Sequence, residues 1–408
     1  MTHQPHREWP RALLDVAALR ASGARPSPFR QFVLKIHSRC NLSCAYCYVY
    51  ELADQSWRQR PRIMSRRTVQ ATVSRIAEHV RDHDLRHIRV ILHGGEPLLA
   101  GPAFITGLAA QLRGTLPPGT TADLIVQTNG TLLDEAMLEM ALTAGIRVGV
   151  SLDGGRVATD RYRRYAGGAS SYDAVTRALE LLRQDRYRPI YNGLLCVISL
   201  QNDPIETYEA LLSQSPPMID FLLPHGTWSS PPPGRSPDTT TPYADWLLEV
   251  FSRWVAAPRQ QTSIRLFEAI MRQVLGGPSS TEVIGLAPAD SIVIETDGSI
   301  RQSDALSAAY EDAAATGLDV TRHALDAALD HPTTVARQIG LAGLSASCRA
   351  CHVRDICGGG FYPHRYRAGD GFRNPSVYCA DLLRLITVIR EYVVAEAERL
   401  GAIVRAAP

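Results

Sequence analysis

Seven of the eight cysteines fall into two groups, and Cys196 stands alone. Cys40, Cys44 and Cys47 have the spacing C-x3-C-x2-C, and Cys348, Cys351, Cys357 and Cys379 have the spacing C-x2-C-x5-C-x21-C. In a reducing compartment, thiols grouped in this way are metal ligands or catalysts rather than disulfide partners. Three thiolates can hold three irons of a 4Fe-4S cube and leave the fourth iron open to another molecule. Zinc is the plainer alternative, but structural zinc takes four protein ligands, and no obvious fourth donor lies beside Cys40, Cys44 and Cys47. The four downstream thiols suit either tetrahedral zinc or a fully ligated cluster, and spacing alone leaves both open.

Such groups need a scaffold, and the chain from about residue 30 supplies one. Six short apolar runs read as strands: 31–37, 88–94, 122–130, 146–154, 192–199 and 219–224. Amphipathic segments of helix length lie between them, near 65–82, 102–114, 133–144, 171–184 and 204–214. This alternation predicts parallel βα units, in an open sheet or a barrel, with ligand-binding groups at the C-terminal strand ends. The Pro/Ser/Thr-rich stretch 228–246 reads as a boundary or an active-site loop, and 291–304 as a hairpin around Asp297-Gly298. A closing amphipathic helix is expected over 380–400, and Cys196, inside an apolar run, is expected in the core.

The 408-residue chain has a net charge of +2, which gives no electrostatic footprint for nucleic acid. No run of about 18 apolar residues or secretory signal core is present, so membrane spanning is not expected and a cytoplasmic location is. Lys35 is the single lysine among 43 basic residues, a bias read as coding composition.

The first cysteine group, with aromatic Tyr46 before the third thiol, resembles the signature of the radical S-adenosylmethionine (radical SAM) superfamily. The resemblance implies a SAM-binding 4Fe-4S cluster on Cys40, Cys44 and Cys47, and a 5′-deoxyadenosyl radical that removes a hydrogen atom from the substrate. Three further stretches follow strands in the order that the superfamily implies. "HGGEP" places Gly94, Gly95, Glu96 and Pro97, with Glu96 an acceptor for the SAM ammonium. "QTNG" places Thr128 and Asn129 at the ribose. "SLDG" and "RYRR" place Ser151 at the ribose and methionine portion and Arg163 at the SAM carboxylate.

Beside such a core, the second cysteine group resembles the SPASM domain of peptide-modifying maturases. Those domains commonly hold two auxiliary clusters, but Phe361 and Ser303 stand where ligands of the first would be. One auxiliary 4Fe-4S cluster is therefore expected, on Cys348, Cys351, Cys357 and Cys379. Asp304, next to the vacated position, resembles a proton acceptor near substrate.

The fold implied is α/β: a partial (β/α)6 TIM-like radical SAM barrel with a small C-terminal SPASM iron-sulfur domain. The expected divisions are an N-terminal extension (1–28), the core barrel (29–235), a connecting helical segment (236–285), and the SPASM domain with its closing helix (286–408). Longer stretches, among them "FLLPHGTW" and "CGGGFYPHRYRAGDGF", resemble FxsB-type maturases. These imply a cyclophane cross-link between a side-chain β-carbon and an aromatic ring in a ribosomally made precursor peptide. Expected partners are that peptide, an electron donor such as a flavodoxin or ferredoxin, and a separate peptide-recognition protein. His225 and Trp228 could line a peptide channel. Two alternatives remain at this point: a sulfatase-maturase-like oxidation of Cys or Ser to formylglycine, and a zinc-stabilised, non-catalytic peptide-binding protein.

Overall fold

The computed structural model describes residues 8–235, 240–279 and 281–406. Residues 1–7 of the expected extension and 236–239 of the proline-rich loop lie outside the described residues. Ten strands form one sheet: β1 (Gln31–His37), β2 (His87–Gly94), β3 (Thr121–Thr128), β4 (Ile146–Ser151), β5 (Tyr191–Val197), β6 (Met218–Leu222), β7 (Ser263–Ile264), β8 (Ser291–Ile294), β9 (Ser299–Arg301) and β10 (Ala315–Asp319). Their order is β10-β9-β8-β1-β2-β3-β4-β5-β6-β7. Strands β8 and β1 through β7 run parallel, and β9 and β10 are antiparallel. The six expected strands thus follow one another in consecutive order, as in an open partial barrel.

Near-continuous apolar runs fit a parallel sheet covered by helices. Phe32, Leu34 and Ile36 of β1 and Ile88, Val90 and Leu92 of β2 are each fully buried. Helix α1 (Val16–Ala21) precedes the sheet and buries no residue, and the covering helices in chain order are α2 (Arg66–Asp82), α3 (Pro102–Thr115), α4 (Glu135–Thr143), α5 (Arg156–Tyr162), α6 (Tyr172–Leu182) and α7 (Pro204–Leu212). Helix α2 shows why these segments are helical. Ser65 caps it by accepting the Thr68 N–H, and Val69, Val73, Ile76 and Val80 recur on one buried face. Each such side chain contributes about 1.5–3 kcal/mol on burial.

The hairpin forms around Asp297 and Gly298, but β8 is no part of a detached sheet. It pairs with β1 from Gln31↔Ser291 to Leu34↔Ile294. This brings the C-terminal part of the chain against the first strand of the barrel. The closing helix runs Cys379–Ala406, and Cys196 is fully buried. No helix among the described residues is long and apolar enough to cross a membrane.

Candidate active site

The first cysteine group leaves β1 and is pinned on two sides. Gly95 N–H donates to His37 O (2.8 Å) and Glu96 N–H to Arg39 O (2.9 Å), while Ser43 N–H donates to Arg164 O (2.8 Å). A side chain on Gly94 would overlap the His37 carbonyl, and one on Gly95 would overlap the Tyr50 hydroxyl and the Arg39 backbone. Both glycines are therefore required where β2 ends against the cysteine loop.

Glu96 is completely buried and is engaged by the chain itself. Its carboxylate accepts from Leu98 N (2.9 Å), Thr128 Oγ1 (2.8 Å) and Asn129 N (2.8 Å). It thereby ties the end of β2 to the end of β3, and Pro97 begins the short helical turn beyond it. Asn129 in turn directs its amide to Cys40 Sγ (3.5 Å) and Asn41 Oδ1 (2.9 Å). Replacing Glu96 with alanine would leave three buried donors unpaired, each costing about 1–3 kcal/mol. Such a variant is expected to lose several kcal/mol in denaturant unfolding, and a loss within about 0.5 kcal/mol would refute the tie.

On the other side, Arg163 Nη1 donates to Tyr46 Oη (2.7 Å), and Tyr46 donates in turn to Asp153. Arg163 is buried, and its Nε has no partner, so a polar group remains free beside Cys44. Ser151 accepts from Gln127 Nε2 (3.1 Å). The residues expected around SAM are thus gathered at the C-terminal ends of β1 to β4.

The sulfurs fit an iron site. Burial pushes Cys40 up to about 11 against the lowering pull of the Leu42 amide, and burial likewise raises Cys44 and Cys47. Thiols so placed ionise against the charge of a metal, and amide donors such as Leu42 and Asn129 suit a ligated sulfur.

Cys348, Cys351, Cys357 and Cys379 line one largely apolar cavity of about 110 Å³. Burial, then the neighbouring Cys379, pushes Cys357 up to about 12. The loop after Cys357 is held by Arg365, buried, whose Nη2 donates to the carbonyls of Gly358 and Gly360 (2.6 Å each). Gly358 has φ +58°, and a side chain there would overlap the Gly285 carbonyl. Four converging thiols in one apolar pocket match a fully ligated cluster.

The structure adds a cluster that the sequence reading missed. Lys35 Nζ lies 2.5 Å from Asp304 Oδ2 and 3.2 Å from His93 Nδ1, and Tyr48 Oη donates to Asp304 Oδ2 (3.3 Å). The lone lysine is therefore a buried partner of Asp304, not only a mark of composition. Its signal was one cation inside an apolar strand. Burial pushes the Asp304 carboxyl up, but the adjacent Lys35 ammonium more than offsets this and holds it below the usual carboxylate range. Burial lowers His93 and His225 to about 4, so both rings are neutral at pH 7. Lys35, Tyr48 and Asp304 share a small cavity with Gly94 and Gly95, which brings the candidate proton acceptor to the cofactor end of the barrel.

His225 packs edge-on to Tyr48 at 5.3 Å and joins this cluster, with Phe361 6.2 Å beyond it. Trp228 does not. Its indole donates to Pro375 O (2.7 Å), and its ring lies under Arg235 and Arg367, so it docks the loop onto the C-terminal part instead of lining a channel.

Residues 34–211, a little under half of the chain, match the family model of the Radical SAM superfamily. The cofactors that this match supports are SAM and 4Fe-4S clusters, for which free cysteines are present in both groups. The chain is 26% identical over 377 residues to a serine-type anaerobic sulfatase-maturating enzyme of Klebsiella aerogenes, covering 88% of this chain and 87% of that protein. It is 26% identical over 286 residues to a cysteine-type anaerobic sulfatase-maturating enzyme of Clostridium perfringens, covering 68% and 74%. The structure of native anSMEcpe with bound AdoMet and Cp18Cys peptide superposes with a TM-score of 0.76 at 22% identity, over 91% of this chain and 99% of that one.

These relatives overturn the cyclophane expectation. Serine- and cysteine-type maturases match most of the chain, which favours the formylglycine alternative. The physical reason is that several of the stretches behind that expectation build the cofactor end of the barrel. They position the cofactor and carry little information about the product.

Proposed function

We propose that the protein oxidises a cysteine or serine side chain in a peptide segment of a protein substrate to formylglycine. The observation that carries this reading is Asp304, held ionised by Lys35 in the cavity bounded by Gly94 and Gly95. Relatives of both the serine and the cysteine type support it, at the same identity.

Oxidising a serine removes two hydrogens: one as an atom from Cβ, one as a proton from the hydroxyl, with one electron also leaving. For cysteine, the same losses give a thioaldehyde, which water hydrolyses with release of hydrogen sulfide. When bound, SAM supplies the hydrogen-abstracting radical and the auxiliary cluster an electron acceptor. Tyr46, Gly94, Gly95, Glu96, Pro97, Thr128, Asn129, Ser151 and Arg163 would hold and orient SAM around the three-cysteine loop. Asp304 takes the hydroxyl or thiol proton, and Lys35 keeps it ready to do so. Tyr48 walls the cavity with a neutral ring, and His225 packs edge-on against Tyr48. A cytoplasmic location suits the reduced thiols, and a ferredoxin or flavodoxin would serve as donor.

The test is anaerobic incubation of the reconstituted enzyme with SAM, reductant and peptides containing one cysteine or one serine. Loss of two hydrogens from the serine peptide, or loss of two hydrogens together with exchange of sulfur for oxygen in the cysteine peptide, is expected, with a carbonyl trapped by a hydrazine reagent. A product with no trappable carbonyl would refute the reading.

Lys35 gives a second expectation. In Lys35→Met, the largest influence that opposes burial at Asp304 is gone, so the acid limb of the kcat/KM profile should move to higher pH. An unmoved limb would show that Lys35 does not set the ionisation of Asp304.

A further inference from the structure

Away from the cysteines, three side chains converge where helix α2 meets the C-terminal part of the chain. His79 and His83 are one helical turn apart on the same face, and Asp326 reaches them from the short helical turn Leu325–Asp330. Asp326 Oδ1 contacts His79 Nδ1, and its Oδ2 lies 2.9 Å from His83 Nε2. One ligand atom from each of the three lies within 4.8 Å of the others.

The far side of His79 decides what this cluster can bind. His79 is 1% exposed, and its Nε2 lies 3.2 Å from the Phe29 carbonyl. The carbonyl and the carboxylate both only accept, so a neutral ring with its single proton can satisfy one of them and not the other. With the proton on Nε2 toward the carbonyl, Nδ1 turns a lone pair toward the carboxylate. A second proton on the ring or a metal ion between Nδ1 and the carboxylate satisfies both sides. A ligating imidazole whose other N–H donates to a backbone carbonyl is the usual support of a metal-bound histidine.

We propose that His79 Nδ1, His83 Nε2 and one oxygen of Asp326 form a divalent transition-metal site, selective for zinc, that fastens α2 to the C-terminal part. Two imidazoles and one carboxylate suit zinc over calcium or magnesium. Tetrahedral zinc bonds of about 2.0–2.2 Å put donor atoms about 3.3–3.6 Å apart, so the side chains must draw together by up to about 1.5 Å. His83 and Asp326 are partly exposed, so an ion can enter and water can take the fourth position.

The test uses the enzyme with its clusters reconstituted, equilibrated anaerobically with zinc alone, desalted and assayed for zinc and iron. One zinc per chain is expected in the unaltered protein. His83→Ala and Asp326→Asn should each weaken zinc binding at least about tenfold with iron content unchanged. Because His83 is partly exposed at the end of α2, its loss should leave the fold intact. Cobalt in place of zinc should give weak visible bands without a new thiolate charge-transfer band. Absence of retained zinc, equal zinc in His83→Ala, or a sulfur-ligated cobalt spectrum would each overturn the proposal and leave a histidine–aspartate ion pair.

Discussion

Asp304→Asn should lower formylglycine formation by about 10²-fold or more while leaving reductive cleavage of SAM within a few-fold of normal. Asparagine keeps the shape of the side chain but cannot accept the substrate proton. In the proposed mechanism, radical generation at the cysteine loop does not depend on that carboxylate. The two readouts should separate, with 5′-deoxyadenosine accumulating in excess of product. The variant also leaves the Lys35 ammonium buried without its anion, a change that costs about 3–5 kcal/mol when such pairs are broken. Iron content and thermal unfolding must therefore accompany the kinetics. Full turnover in a folded Asp304→Asn enzyme would remove Asp304 from the proton-acceptor role. In the unaltered enzyme, stability linked to this depressed carboxyl is present above the unfolded aspartate value of about 3.9. It is lost as pH falls through the lower folded value.

The second large effect concerns the auxiliary pocket. The reconstituted enzyme should hold about eight iron atoms, and Cys357→Ala should hold about four, because removing one of four thiolates from a closed site abolishes a fully ligated cluster. Peptide oxidation should fall to background, since the electron left after proton transfer then has no acceptor in the chain. The SAM-binding cluster should keep its spectroscopic signal. About twelve iron atoms in the unaltered enzyme would contradict the single auxiliary site, and unimpaired turnover in Cys357→Ala would contradict its redox role. Phe361 explains why only one such site is expected. It turns an aromatic ring toward His225 and His364 where a sulfur ligand would otherwise stand.

The barrel was legible because its signals are local. An apolar run such as 31–37, followed by a helical period such as 65–82, identifies a βα unit without reference to the rest of the chain. The cysteine groups were legible for the same reason, since all of their thiols but Cys379 sit within a few residues of one another. Pairings across the chain were not. Nothing near residue 291 announces that β8 will lie parallel to β1, because the register is decided by contacts more than 250 residues away. At Glu96 a second role went unseen. Its type and place suggested a ligand for an ammonium, yet its buried carboxylate secures three groups of its own chain, a role only coordinates can reveal. Lys35 was hidden by composition: in a chain so rich in arginine, a single lysine looked like residue bias until its distance to Asp304 was known.

The pairing of β8 with β1 bears on how such enzymes can be recombined. Lys35 comes directly after the last β1 residue paired with β8, and Asp304 lies three residues beyond β9, so one backbone ladder sets the spacing of cation and base. The C-terminal part is therefore not an accessory that can be exchanged at the proline-rich loop without consequence. A chimera that keeps this chain's β8–β9 hairpin and changes only residues beyond Asp304 preserves the ion pair, whereas a junction upstream of residue 291 must reproduce the ladder before it can inherit the chemistry.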